Sequence, residues 1–324
     1  MTELEIKRVA IIGAGNQGPR IAYRCVKANY DVALYSRSRS GLERGMGQLM
    51  GFLDEKLSSK EAAEARKRIV NHTISIEDCV RNADLIIETV PENVPLKRHV
   101  WAKIDAAAKE GALICTNSSS QPCSRFADVV KRPEKAFNVN FSDPAHDNLV
   151  EVMGGANTSQ ETLIRGVLFL QSLNMVPIVT FKEIMGFSYN RVWRAVKREA
   201  LHLVDQGFVD FQDLDRAWMM DFGTECGPFG MMDMVGIDVV RDIEALYYEE
   251  TGENSDKPPR LLDEMIAKGE LGIKTGRGFY NYPNPAYKDP DWLKKQGVYV
   301  EDIREKLAAM KRKGSRQQQH LFPK

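Results

Sequence analysis

The chain has 324 residues, 43% of them hydrophobic, which suits two cores of ordinary domain size better than one. Lys and Arg together number 45, as do Asp and Glu, so the formal net charge is zero and no single-signed field exists to gather nucleic acid or an anionic membrane. The five cysteines (Cys25, Cys79, Cys115, Cys123 and Cys226) are odd in number and scattered, with no CxxC pair or Cys/His cluster, which argues against a disulfide framework and a zinc site; no metal is expected. The first residues are charged and lead straight into an apolar run, leaving no room for a signal peptide, and no later run reaches the roughly 18 apolar residues of a membrane span. A cytoplasmic protein acting on a small molecule is expected.

Up to about residue 182, short β-rich runs alternate with helical stretches. The runs are Arg8 to Ile12, Val32 to Tyr35, Leu85 to Ile87, Ala112 to Cys115 and Ala136 to Val139. Nearly continuous apolar runs separated by helices indicate a parallel sheet covered on both faces. A charged stretch from about Gly41 to Arg68 (41–69 at its widest) interrupts this rhythm and reads as a helical hairpin projecting from the sheet. After Gly186 the strand pattern stops, and Asn190 to Gln206, Phe211 to Met220, Asp238 to Glu249 and Leu261 to Gly269 carry apolar residues at helical spacing. The expected fold is an α/β Rossmann-type doubly wound parallel sheet over 1–183, followed by an all-α C-terminal domain over 184–300 and a basic helix and tail over 301–324. The tail reads as a solvated end.

Gly13-Ala14-Gly15-Asn16-Gln17-Gly18 is a complete GxGxxG set, directly after the apolar run Val9 to Ile12 and before a helical stretch. Gly13 permits a tight turn, Gly15 lets the backbone approach a pyrophosphate, and Gly18 lets helix and strand pack closely. The pyrophosphate then meets the free N–H groups of the helix start, around Asn16 and Gln17. The next strand ends Leu34-Tyr35-Ser36-Arg37, and its last residue is where an NAD enzyme places a carboxylate for the ribose 2′-OH. Here that residue is Ser36. A hydroxyl with the guanidinium of Arg37 beside it suits a 2′-phosphate, so NADP(H) is preferred, with NAD(H) possible.

Further motifs follow in order: Ala83 to Glu88 with Pro91-Glu92-Asn93, Asn117-Ser118-Ser119-Ser120, Leu149 to Val152, Gly186 to Arg191, Gly227-Pro228-Phe229-Gly230, and Leu271 to Tyr280. As a series they resemble the 3-hydroxyacyl-CoA dehydrogenase family, with its L-gulonate 3-dehydrogenase-like relatives, over about residues 6 to 282. The resemblance implies a homodimer formed mainly through the helical domain and a small-molecule substrate, either an acyl-CoA or a free hydroxy or oxo acid. It places Glu92 and Lys97 at the nicotinamide end of the cofactor, with Asn117 also at the cofactor, and Ser119 at the substrate oxygen. It places Glu151 where a carboxylate orients a catalytic histidine, and Asn190 where an amide from the helical domain completes the site.

The matching histidine itself is replaced. Counting from Ser119 without a gap, its place falls to Asn140. Asparagine has no proton to exchange near neutral pH, although its amide can donate a hydrogen bond to a carbonyl oxygen. His146, six residues on, is the local candidate for a replacement acid–base group, against the plainer alternative of a solvated loop histidine. Two functions are therefore expected in order: an NADP(H)-preferring dehydrogenase or reductase with altered proton delivery, and a repurposed relative that binds NADP(H) without the usual dehydrogenation.

Overall fold

Along β1 (Arg8–Ile12) every residue from Val9 onward is fully buried in the computed structural model, which describes residues 6–294 and 303–305. Side chains alternate across a strand, so Val9 and Ile11 join one apolar layer while Ala10 and Ile12 join the other. The first layer takes its helical side from α1 (Gln17–Lys27), α2 (Arg39–Lys56), α3 (Ser59–Lys67) and α6 (Gln160–Ser172). The second is closed by α4 (Ile76–Val80) and α5 (Val94–Ala107). Two-sided burial is why the strands read as unbroken apolar runs.

The other strands are β2 (Asp31–Tyr35), β3 (Ile69–Thr73), β4 (Leu85–Glu88), β5 (Leu113–Thr116), β6 (Ala136–Phe141), β7 (Leu149–Gly154) and β8 (Val176–Thr180). They form one sheet in the order β3-β2-β1-β4-β5-β6-β7-β8. The doubly wound arrangement is as expected, but the sheet is mixed. β6 and β7 pair antiparallel, with Asn140 opposite Glu151, because the short 142–148 connection cannot make the long crossover that a parallel pair needs. Three strands were not legible as apolar runs. β3 and β8 are edge strands exposed along one face, β8 carries Pro177, and β7 is interrupted by Glu151.

The hairpin forms as α2 and α3, with a capping box at Ser58 and Glu61, but it does not stand clear of the sheet. Leu42, Leu49 and Leu53 are buried in the layer that α1 shares, and Phe52 stands against Tyr23 at a ring distance of 6.1 Å.

The chain divides into two compact units between Arg191 and Val192, within α7 (Ser188–Asp205). The second unit adds α8 (Phe211–Phe222), α9 (Pro228–Val235), α10 (Ile237–Thr251) and α11 (Arg260–Ala267) around Leu201, Phe229, Met232, Val240 and Leu262, all fully buried. Met219 and Met232 belong to this core, whereas Met220 and Met234 are exposed. Two buried carboxylates explain the glycine-aromatic motifs here. Asp215 accepts from the Phe229 and Gly230 N–H groups and from the Tyr280 hydroxyl, and burial pushes it up to about 6. Asp233 accepts from the Phe279 and Tyr280 N–H groups and the Tyr282 hydroxyl. Apart from residues 303–305, the basic helix and tail expected over 301–324 lie outside the described residues. Among the described residues no helix is long and apolar enough to cross a membrane.

The seat of α1 yields a test. A Cβ on Gly18 would lie 1.8 Å from the Gly13 carbonyl oxygen, so Gly18→Ala must displace backbone. A loss of about 1–3 kcal/mol or more is expected in urea unfolding. Gly47→Ala on α2, where a Cβ would meet nothing within 4 Å, is the control and should gain up to about 1 kcal/mol.

Candidate active site

β1 has β2 on one side and β4 on the other, so strand order reverses at its carboxyl end, where open α/β sheets bind ligands. A cleft of about 590 Å³ opens there. Its wall brings together most of the expected site residues: Gly13, Gly15, Asn16 and Gln17 after β1; Ser36 and Arg37 after β2; Glu92 after β4; Asn117 and Ser119 after β5; and Asn140 near the end of β6. Gly18, Lys97, Glu151, Asn190 and His146 are not part of that wall.

The glycine turn is held from both sides. The Gly13 N–H donates to the Tyr35 carbonyl at 3.0 Å, and the Thr89 hydroxyl donates to the Gly13 carbonyl at 3.0 Å. Gly13 has φ +129°, a backbone angle that side-chain-bearing residues rarely adopt. A Cβ on Gly15 would meet no atom within 4 Å, so the main chain there borders open space, as a pyrophosphate-binding turn requires. At the end of β2, Ser36 is only 7% exposed, yet its hydroxyl has no hydrogen-bond partner among the described residues. Arg37 is exposed and forms no ion pair among them. The same is true of Arg44 on α2, a wall residue that the sequence pattern did not single out.

Lys97, expected at the nicotinamide, lies behind the wall and is 1% exposed. Its ammonium bonds Glu88 at 3.0 and 3.2 Å and the Val90 carbonyl at 3.2 Å. Glu88 is fully buried and also accepts from Trp101 Nε1 at 3.2 Å, Thr116 Oγ1 at 2.8 Å and the Val90 N–H at 2.6 Å. Glu92 bridges this pair to the wall. Its Oε2 lies 3.7 Å from Lys97 Nζ and accepts from Ser118 Oγ at 2.8 Å, while Oε1 accepts from the Ser119 N–H at 3.1 Å. Glu92 thereby fixes the turn that carries Ser119. The signal for Glu88 was present in the sequence as a carboxylate closing an apolar strand; its partners were not.

Asn117 Oδ1 accepts from the Phe141 N–H at 3.0 Å, tying the end of β5 to that of β6. Asn140 donates through Nδ2 to Glu151 Oε2 at 3.3 Å across the β6–β7 register. The other oxygen of Glu151, a residue 1% exposed, accepts from Ser188 N at 3.1 Å, Ser188 Oγ at 2.7 Å and Tyr189 N at 2.9 Å. One carboxylate therefore orients Asn140 and anchors the start of α7, where Asn190 follows. His146 is exposed, bonds Asp143 through Nδ1 at 3.0 Å and stands edge-on to Phe52. Burial works to raise the Asp143 carboxyl, but hydrogen bonds from Arg20 and His146 outweigh it and hold it below its usual range. Asp143 is thus committed to Arg20 at 2.6 Å and to His146.

The buried pair makes a prediction. Lys97→Met leaves Glu88 without its cation and should cost about 3–5 kcal/mol in urea unfolding, and adding Glu88→Gln should restore part of the loss. Equal stability of Lys97→Met and the unsubstituted protein would show that the pair does not hold this region.

Residues 8–184 match the family model described as 3-hydroxyacyl-CoA dehydrogenase, NAD binding domain, and residues 186–282 match its C-terminal domain. The chain is 30% identical over 283 residues to 5-formyl-3-hydroxy-2-methylpyridine 4-carboxylate 5-dehydrogenase of Mesorhizobium japonicum, covering 86% of this chain and 91% of that protein. It is 31% identical over 280 residues to 3-hydroxybutyryl-CoA dehydrogenase of Clostridioides difficile, covering 85% and 99%. The crystal structure of (S)-3-hydroxybutyryl-CoA dehydrogenase from Ralstonia eutropha superposes with a TM-score of 0.80 at 30% identity, over 86% of this chain and 100% of that one. With both domain models matched in order and a nucleotide-type cleft at the switch point, the chain belongs to the 3-hydroxyacyl-CoA dehydrogenase family, as a nicotinamide-dependent oxidoreductase acting on CH–OH/C=O.

Proposed function

We propose that this protein transfers hydride between NADP(H) and the hydroxy/oxo carbon of a small acid, free or as a CoA thioester, with Asn140 standing where the family's acid–base histidine belongs. The observation that carries the cofactor reading is the end of β2. Among the described residues the end of β2 presents no carboxylate to the cleft, and a Ser36 hydroxyl and an Arg37 guanidinium that have no partner among them line it. A 2′-phosphate would satisfy both, whereas a 2′-OH leaves the cation without a partner.

The open backbone at Gly15 and the start of α1 fit a pyrophosphate, which Gly13, Gly15, Asn16 and Gln17 would hold. When bound, the nicotinamide supplies the carbon that accepts or releases hydride. Ser119, on a turn stiffened by Glu92, donates its hydroxyl hydrogen to the substrate oxygen. One N–H of Asn140 is spent on Glu151, which leaves its second N–H and its carbonyl oxygen for the substrate. Asn140 therefore orients and polarises the reacting group without moving a proton, and the proton that accompanies each hydride would be exchanged between the substrate oxygen and solvent through the open cleft. Free acids and thioesters both stay within the proposal, since the relatives' names cover a pyridine carboxylate and a hydroxybutyryl-CoA.

Two measurements test this reading. In fluorescence titration NADPH should bind roughly tenfold or more tightly than NADH, and Ser36→Asp with Arg37→Ala should reverse the order; an unchanged preference removes the basis for NADP(H). Asn140→His restores an exchangeable proton beside Glu151 and should raise turnover of acetoacetyl-CoA by roughly 10²–10⁴. No gain in a folded variant that still binds cofactor would mean that the pocket, and not the proton, sets the substrate.

A further inference from the structure

α2 approaches the glycine turn unusually closely. A Cβ on Gly45 would lie 2.6 Å from the Ala14 Cβ and 2.7 Å from the Ala14 carbonyl oxygen, so this helix face rests on the cofactor turn itself. Gly41 and Arg44 lie on the same side, three residues apart, and both belong to the cleft wall beside Ser36, Arg37 and Ser38. The helix start is short of acceptors and of negative charge. Ser38 caps it by accepting from the Gly41 N–H at 3.2 Å, the first turn holds no acidic residue, and the Arg39 and Ser40 N–H groups have no acceptor among the described residues. Nearby carboxylates are directed elsewhere. Glu43 lines a separate hollow with Arg39 and His72, Glu77 accepts from Ser75, and Glu92 holds Ser118 and Ser119.

These features leave one unfilled requirement: an anion among Ser36, Arg37, Ser38 and Arg44. We propose that Arg44 is a specificity residue for the cofactor, its guanidinium closing over the ribose 2′-phosphate opposite Arg37, and that Gly41 keeps the space for that phosphate open. The space is real in steric terms, since a Cβ on Gly41 would come within 2.6 Å of Ser36 Oγ and 3.1 Å of Ser38 Oγ. Any added side chain there crowds the two hydroxyls that would bond the phosphate. The inference rests on the NADP(H) reading and adds to it a residue on a different element, so that ligand discrimination depends on the seating of α2 as well as on the end of β2.

The test uses the full chain and two fragments that carry no nicotinamide, 2′,5′-ADP and 5′-AMP, titrated calorimetrically. Arg44→Gln, an exposed substitution, should weaken 2′,5′-ADP about 10- to 100-fold and leave 5′-AMP unchanged. Gly41→Ala should act in the same direction. If the unsubstituted protein binds both fragments equally, the NADP(H) reading fails and this assignment with it. If it prefers 2′,5′-ADP but Arg44→Gln leaves that preference intact, or weakens both fragments equally, the assignment to Arg44 is overturned while Ser36 and Arg37 stand. Should Gly41→Ala not fold, Arg44→Gln decides alone.

Discussion

α1 seats on the end of the sheet only because residue 18 has no side chain, and much of the first unit is hung from that helix. The approach leaves no room for even a methyl group between Gly18 and the Gly13 carbonyl. Once seated, α1 reaches in two directions. Its apolar side takes Leu49, Leu53 and the rest of the α2–α3 layer, which brings Gly45 down on Ala14. Its polar side reaches the 142–148 connection, where Gln17 donates to the Ser142 carbonyl at 3.1 Å and Arg24 donates to the Pro144 carbonyl and to the Asp147 carbonyl at 2.6 Å. Arg20 adds its pair with Asp143. The glycine turn and the segment that follows Asn140 are therefore positioned by one element.

Two buried carboxylates near the cleft are stabilised by different means, and the difference bears on the chemistry. Glu88 has a buried cation, Lys97, and neutral donors around it. Glu151 has no cation among the described residues. It is met by Asn140 and by the N–H groups and hydroxyl at the start of α7, where the helix dipole also favours negative charge. A carboxylate satisfied in this way does not need an imidazolium beside it, so a neutral Asn140 leaves no uncompensated charge. The amide of Asn140 is thus accommodated beside this carboxylate without a countercharge.

In the second unit, motifs that are legible as strings serve the core. Gly227-Pro228-Phe229-Gly230 and the Gly276 to Tyr280 stretch helped to identify the family, yet here their main-chain N–H groups serve Asp215 and Asp233. Their spacing reflects two buried carboxylates that must be saturated with donors.

By itself the sequence determined the parts governed by local rules: the glycine turn, the apolar strands buried on both faces, the helices with a single apolar stripe, and the absence of a carboxylate after Tyr35. Each depends on residues adjacent or one helical turn apart. The tertiary structure alone decided the rest, because it depends on which distant residues meet. It turned β6–β7 antiparallel through the shortness of their connection, withdrew Lys97 into a pair with Glu88, kept His146 on Asp143, and brought Arg44 to the cleft through the seating of α2. No periodicity records that Gly45 rests on Ala14, nor that Arg44 shares a cleft wall with Ser36.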